Sequence, residues 1–310
     1  MMGIEKILLI GGGGFIGRNL INSFELIKKD IEFVVLSRQN HHFSPTKTVR
    51  YVVGDYGNKD EMEVLFRTEK FNKVFHFANT SVPSSSNFNI LDDVDNNLMS
   101  TLTLLEVMKK NGCNFILYLS SGGAVYGNSN DRILDEAHYC VPISSYGITK
   151  LANEQYIALH SRNYGLNYLI LRLSNPYGHF HVSEQQGIVN IAIRKALRND
   201  TVTVWGNGAQ EKDYIYVQDV ISIIYKLLEK GIVNDTFNVG SGTAIALNDI
   251  LREIRQALPS LDVKYEPSKP TDVSNFCLSI SKLKSVIDFD ITPFDDGLAK
   301  TIEWEKLKIL

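Results

Sequence analysis

Tyr146 and Lys150 stand four residues apart in the run Ser145-Tyr146-Gly147-Ile148-Thr149-Lys150, and Gly11, Gly14 and Gly17 recur at every third position early in the chain. Helical residues i and i+4 share one face, so the first pair sets a phenol beside an ammonium. The positive charge lowers the phenol's pKa from its reference of about 10, which makes a proton donor and acceptor suited to carbonyl chemistry. The glycines follow the apolar run Ile4 to Ile10 and precede a segment where Ile16, Leu20 and Phe24 recur at helical spacing. Strand, glycine turn and helix together present backbone N–H groups and a positive helix end to a pyrophosphate. Gly11, Gly14, Phe15, Ile16 and Gly17 are therefore the candidate cofactor-binding turn.

These groups need a scaffold, and the first half of the chain supplies a repeating one. β-Branched runs at Glu32 to Ser37, Thr48 to Gly54, Lys73 to Phe77, Asn114 to Ser121 and Asn167 to Arg172 are separated by helical stretches such as Leu91 to Lys110 and Tyr146 to Tyr164. The alternation predicts an α/β fold with a doubly wound parallel sheet. Beyond Asn175-Pro176-Tyr177-Gly178, short strands near Val202 to Val204, Asp213 to Val217 and Thr236 to Val239 predict a smaller α/β lobe. We expect a dinucleotide-binding Rossmann domain over 1–175 and mainly a second, substrate lobe over 176–310, with the chain crossing between them. Two polar stretches, Ser81 to Ser86 and Ser120-Ser121-Gly122-Gly123, follow or end predicted strands, where open α/β sheets place ligands.

Composition excludes several classes. The 310 residues are 44% hydrophobic and 22% charged with a net charge of −3, and the basic residues are dispersed, which gives nucleic acid no footprint. No apolar run has the roughly 18 residues of a membrane helix, and the first one is too short for a signal-peptide core. Cys113, Cys140 and Cys277 are odd in number and far apart, without metal-ligand spacing. The expectation is a cytoplasmic enzyme with no metal. His179 and His181 alternate as a chelate would, yet no third ligand is evident, and they read as loop residues near a substrate. His76, within Val74-Phe75-His76-Phe77, reads as a core histidine, and Trp205 as packing at a strand end.

In this order the motifs resemble the extended short-chain dehydrogenases that act on nucleotide sugars, over nearly the whole chain. Gly11, Gly14 and Gly17 are similar to that family's pyrophosphate turn. Asp55 resembles its adenine-contacting acid, Asn97 its helix asparagine near the cofactor, and Tyr146 with Lys150 its catalytic pair. Asn175, the run Asp213-Tyr214-Ile215-Tyr216-Val217-Gln218-Asp219 and the run Phe237-Asn238-Val239-Gly240-Ser241-Gly242 resemble its sugar-nucleotide markers. The resemblance implies hydride transfer at a sugar carbon, most often C4, with a nucleotide-diphosphate sugar as substrate and a homodimer paired through two helices of the cofactor domain. Leu98, Leu102, Leu105 and Met108 form an apolar stripe that fits such a pairing or a core face.

Three positions depart from the pattern. Counting back from Val125-Tyr126-Gly127, the family's catalytic hydroxyl position is Gly122, and Ser121 is the substitute candidate, for catalysis and for substrate binding. Lys212 and Lys269 stand where the resemblance implies phosphate-binding arginines; each supplies a point charge without the bidentate fork. The second predicted strand ends in Ser37-Arg38, without the acid that would hold a ribose 2′-OH, and this favours NADP(H), with NAD(H) the alternative. A reductant released each turnover suits a ketoreductase of a 4-keto-6-deoxyhexose, of the kind that feeds bacterial surface polysaccharide and lipopolysaccharide. A UDP-glucose-type 4-epimerase with bound NAD is the second reading, and a non-catalytic NAD(P)-binding sensor or scaffold the third.

Overall fold

Ile7, Leu8, Leu9 and Ile10 are all buried, as are Phe33 to Leu36, which is what parallel strands covered by helices on both faces require. The computed structural model describes residues 4–27, 30–39, 46–267 and 275–308. In chain order the first elements are β1 (Glu5–Ile10), α1 (Phe15–Ile27), β2 (Ile31–Ser37), β3 (Val49–Val53), α2 (Lys59–Glu69) and β4 (Lys73–His76). There follow α3 (Ile90–Asp93), α4 (Ser100–Lys110), β5 (Phe115–Ser121), α5 (Gly122–Tyr126), α6 (Ser145–Tyr164), β6 (Asn167–Leu173) and β7 (Asn175–Tyr177). The remainder is α7 (Ile188–Arg198), β8 (Thr201–Trp205), β9 (Glu211–Tyr216), α8 (Val217–Glu229), β10 (Asp235–Val239), β11 (Ala244–Ala246), α9 (Leu247–Ala257), β12 (Asp262–Glu266), α10 (Ser281–Val286) and α11 (Phe294–Lys306).

Seven strands form one sheet in the order β10-β6-β5-β4-β1-β2-β3. The run from β3 to β5 pairs in parallel, with Ile10 opposite Leu36 on one side and His76 on the other. Strand order reverses between β1 and β4, so the crevice beyond their carboxyl ends is the topological switch point of a doubly wound sheet. Two compact units result. Met1–Ser120, Ser144–Leu171 and Gly231–Thr236 form the first, and Ser121–Ile143, Arg172–Lys230 and Phe237–Leu310 the second. The first packs α2 and α4 on the sheet through Met62, Phe66, Leu104, Leu105 and Met108. The second has its own core around Tyr177, Val189, Ile193, Val202, Ile250 and Ile254, with a three-stranded sheet ordered β11-β9-β7 and the pair β12-β8.

Two expectations are corrected. The helix predicted over Leu91 to Lys110 is broken by a π-helical turn at Val94–Met99, whose wider winding turns Asn97 into the interior. The strand near Thr236 to Val239, assigned from sequence to the smaller lobe, is β10 at the edge of the seven-stranded sheet beside β6, although its residues from Phe237 onward group with the second unit. Of the apolar stripe, Leu105 and Met108 are core residues and Leu102 packs against that core, while Leu98 is half-buried outside that cluster. No described helix is long and apolar enough to cross a membrane.

His76 ends β4 fully inside the first unit. Thr101 donates its hydroxyl proton to the Asn97 carbonyl at 2.6 Å, so the 3.0 Å contact between His76 Nε2 and Thr101 Oγ1 has the imidazole as donor. Nδ1 then carries a lone pair with no partner among the described residues, and burial lowers the ring's pKa from 6.5 to about 3. The unfolded chain takes up this proton as pH falls through 6.5, and the folded chain refuses it until about 3. Stability therefore declines on acidification, by up to about 1.4 kcal/mol per pH unit from this group. Urea unfolding at about pH 6, 5 and 4 should show that slope, made shallower by about 1 kcal/mol per unit in His76→Gln, which keeps a donor and does not titrate.

Candidate active site

Gly11 leaves β1 with φ of +85°, and a Cβ on it would stand 2.6 Å from the Ala78 backbone nitrogen, so only glycine lets the β1 and β4 loops meet. The turn is closed by Gly14 N–H donating to Gly11 O at 3.0 Å. Gly17 seats α1 on it: a Cβ there would lie 2.5 Å from Gly12 Cα. Gly14 differs, being exposed, with Gly11 O at 3.2 Å the sole atom its Cβ would meet. The first turn of α1, which begins with Phe15 and Ile16, carries no acidic residue to cancel the positive helix end. In front of it opens a cleft of about 370 Å³ lined by Gly11, Gly13, Gly14, Ser37, Arg38, Tyr56, Asn79 and Thr80 among others. An open glycine face, a helix N-terminus and strand-end side chains in one cleft fit a dinucleotide.

Arg38 lies on that wall and is held there, its Nη1 donating to Asn96 Oδ1 at 3.2 Å, while the Tyr56 hydroxyl donates to Asn96 O at 2.7 Å. Asp55 sits between the lining residues Gly54 and Tyr56 but is not itself among the cleft residues described; its Oδ1 accepts from Gly57 N–H at 2.8 Å. Asn97 is buried and reaches the cleft through Thr80, whose amide and hydroxyl donate to its Oδ1 at 2.9 and 3.2 Å.

Tyr146 and Lys150 lie on α6, whose start is fixed by Ser144 accepting from Gly147 N–H. Lys150 is buried, donates to Leu119 O at 2.8 Å, and has its Nζ 5.8 Å from the Tyr146 ring centroid. Burial lowers its pKa from 10.5 to about 7, against the opposing charges of Glu154 and Asp93. Glu154 is one helical turn further on and accepts from Ser120 Oγ. Asp93 is buried at the end of α3, where Ser145 Oγ donates to it at 2.6 Å. Neither carboxylate was singled out from sequence. Glu154 had a signal in its i+4 spacing from Lys150, whereas nothing in the run Leu91-Asp92-Asp93 separates the buried acid from its exposed neighbour.

The remaining candidates belong to the second unit. Ser121 precedes α5 in extended conformation, and its side chain makes no capping hydrogen bond. Gly122 is packed: a Cβ would meet Leu278 Cδ1 at 2.7 Å, and one on Gly123 would meet the Phe276 ring at 2.8 Å. Asn175 Nδ2 donates to Asp213 O at 2.8 Å, which ties β7 to β9, and Lys212 lies on β9 opposite Ile245. Asp213 joins two of the sequence markers, its carboxylate accepting from Ser241 N–H at 2.8 Å and from Gly242 and Leu278 N–H at 3.2 Å. Lys269 lies outside the described residues. His179 stacks on Trp304 at 4.6 Å while His181 contacts Arg194, so the two rings face different partners, and no metal-holding cluster occurs among the described residues.

Comparison with known proteins gives concordant results. A sequence profile of the NAD dependent epimerase/dehydratase family matches residues 7–240. A putative UDP-glucose 4-epimerase of Methanocaldococcus jannaschii is 30% identical, over 97% of this chain and 98% of its own. A dTDP-4-dehydro-6-deoxyglucose reductase of Escherichia coli is 29% identical, over 96% of each. The crystal structure of UDP-glucose 4-epimerase from Thermotoga maritima with UDP-glucose superimposes with a TM-score of 0.92 at 27% identity, covering 98% of this chain and all of that one.

Two glycine pairs test the geometry. Gly14→Ala should leave stability within about 0.5 kcal/mol yet weaken dinucleotide binding at least about tenfold, whereas Gly17→Ala should cost about 1–3 kcal/mol by overpacking; calorimetric titration and urea melts read both. In the second unit, Gly122→Ser should lose about 1–3 kcal/mol against Leu278 without gaining activity. Ser121→Ala should melt like the parent and lower kcat by about tenfold or more.

Proposed function

The chain belongs to the NAD dependent epimerase/dehydratase family, and from that premise we propose that it reduces the C4 ketone of a nucleotide-activated 4-keto-6-deoxyhexose, with NADPH favoured over NADH. The observation that carries this reading is the end of β2: Ser37 and Arg38 stand where an acid would bar a 2′-phosphate, and Asn96 keeps the guanidinium on the cleft wall. A phosphorylated cofactor suits a reductant that is bound, oxidised and exchanged. The similarity to the reductase of Escherichia coli supports the same reading.

The first unit is then the cofactor unit, with Gly11, Gly14, Phe15, Ile16 and Gly17 at the pyrophosphate, Ser37 and Arg38 at the adenosine ribose, Asp55 toward the adenine, and Asn97 behind the cleft. Bound there, the dinucleotide supplies the hydride for C4. Tyr146 gives its phenolic proton to the ketone oxygen, and the Lys150 ammonium stabilises the phenolate left behind and holds a ribose hydroxyl. The Ser121 hydroxyl shares the charge that develops on the same oxygen. The second unit takes the nucleotide sugar, with Asn175, Lys212 and Lys269 as its polar contacts and the lysines balancing the diphosphate. The reading extends to a cytoplasmic homodimer serving surface polysaccharide synthesis.

A UDP-glucose 4-epimerase is the second reading, favoured by the superposition on the Thermotoga maritima enzyme. One assay separates the two. Incubation with NADPH and a dTDP-4-keto-6-deoxy sugar should consume one equivalent of reductant, at least about a hundredfold more slowly in Tyr146→Phe. The preference for NADPH over NADH should fall about tenfold in Arg38→Ala. Interconversion of UDP-glucose and UDP-galactose with no reductant consumed would replace the reductase by the epimerase.

A further inference from the structure

Asp93 is a buried carboxylate that the chemistry above leaves unused. Asp93, the last residue of α3, is buried beside Asn97 of the π-turn that follows; Ser81, Asn97 and Ser145 donate to it, and Thr149, whose hydroxyl also reaches Tyr146 O at 3.0 Å, lies within reach. Ser81 Oγ and Asn97 Nδ2, the latter at 2.9 Å, meet Oδ1; Ser145 Oγ at 2.6 Å and Thr149 Oγ1 at 3.3 Å meet Oδ2. The donors come from three places. Ser81 lies on the loop after β4 that also carries the cleft residues Asn79 and Thr80, Asn97 lies on the π-turn, and Ser145 and Thr149 flank Tyr146 and Lys150 on α6. An ionised carboxylate is acceptor-only, and two hydroxyls with one amide meet it as donors.

We propose that Asp93 is a positioning residue: it clamps the first turn of α6, and with it Tyr146 and Lys150, to the wall of the cofactor cleft, and it places a carboxylate near Lys150. This deepens the function proposed above and rests on Tyr146 and Lys150 being its catalytic pair. Lys150 is faced by Glu154 from its own helix, by Tyr118 of β5 with its ring centroid 4.8 Å from Nζ, by His76 of β4 and by Asp93. Burial holds His76 neutral and raises the Tyr118 pKa, so the two carboxylates are the charges that oppose the desolvation of the lysine, beside its hydrogen bond to Leu119 O. Glu154 shares its carboxylate with Ser120. Asp93 alone joins that charge to the registration of the helix.

Asp93→Asn keeps the shape and removes the charge. In cofactor-free protein, the Lys150 side-chain carbon resonance, identified by its loss in Lys150→Met, should titrate near pH 7 in the parent and at least half a unit lower in Asp93→Asn. With substrate, kcat should fall about tenfold with KM changed less than about threefold, and the pH profile should move with the lysine. Asp93→Glu, which restores the charge, should recover the lysine midpoint. An unchanged midpoint and pH profile in Asp93→Asn, with lost activity matched by lost folded protein, would reduce Asp93 to a fold contact. Parent protein without turnover on any nucleotide sugar would defeat the proposed function, and the lysine titration would still decide the clamp.

Discussion

A lysine buried inside the first unit is the constraint around which that unit is arranged. Removing an ammonium from water is costly unless partners are supplied, and here they come from three elements: the Leu119 carbonyl of β5, Glu154 of α6 and Asp93 of α3. Each has its own fixing contact. Ser120 holds Glu154, Asn153 donates to the buried Tyr118 hydroxyl at 3.0 Å, and the donors around Asp93 join the β4 loop, the π-turn and α6. The lysine settles near neutrality, where a small change in local charge alters its protonation.

The cofactor cleft follows from a different limitation, the distance at which backbones can approach. Gly11 and Gly17 allow the β1 loop to touch the β4 loop and α1 to sit on the turn, which brings helix amides to the mouth of the switch point. Gly14 spends no packing and leaves its face open. The same steric logic has the opposite outcome in the second unit, where Leu278 and Phe276 fill the space a side chain at Gly122 or Gly123 would need. A hydroxyl at the expected place would collide with that segment, and Ser121, one residue earlier, carries an uncommitted capping position instead.

The second unit shows how distant markers become one feature. Asp213 is fully buried, and desolvation raises its pKa, yet its oxygens accept from Ser241, Gly242 and Leu278 amides. Gly240 is glycine because a Cβ would stand 2.5 Å from that carboxylate. Asn175 binds the Asp213 carbonyl, so β7, β9 and the Gly240-Ser241-Gly242 turn move as one piece. Arg172 donates to the Tyr126 hydroxyl, which donates to Asn238, and this joins α5 to the end of β10.

Local patterns alone determine a good deal here. The doubly wound sheet is legible because buried parallel strands read as β-branched runs and their helices repeat at 3.6 residues; the glycine turn and the Tyr146 and Lys150 face are legible because their geometry spans a single turn of chain. What depends on residues far apart could not be read that way. The π-turn, the burial of Asp93 but not Asp92, the place of β10 beside β6 and the exclusion of a side chain at Gly122 by Leu278 are decided by packing between segments separated by dozens of residues. Composition and spacing identify which groups have chemistry to offer. Desolvation and close approach, which exist only once the chain is folded, decide which of them carry charge and where they can act.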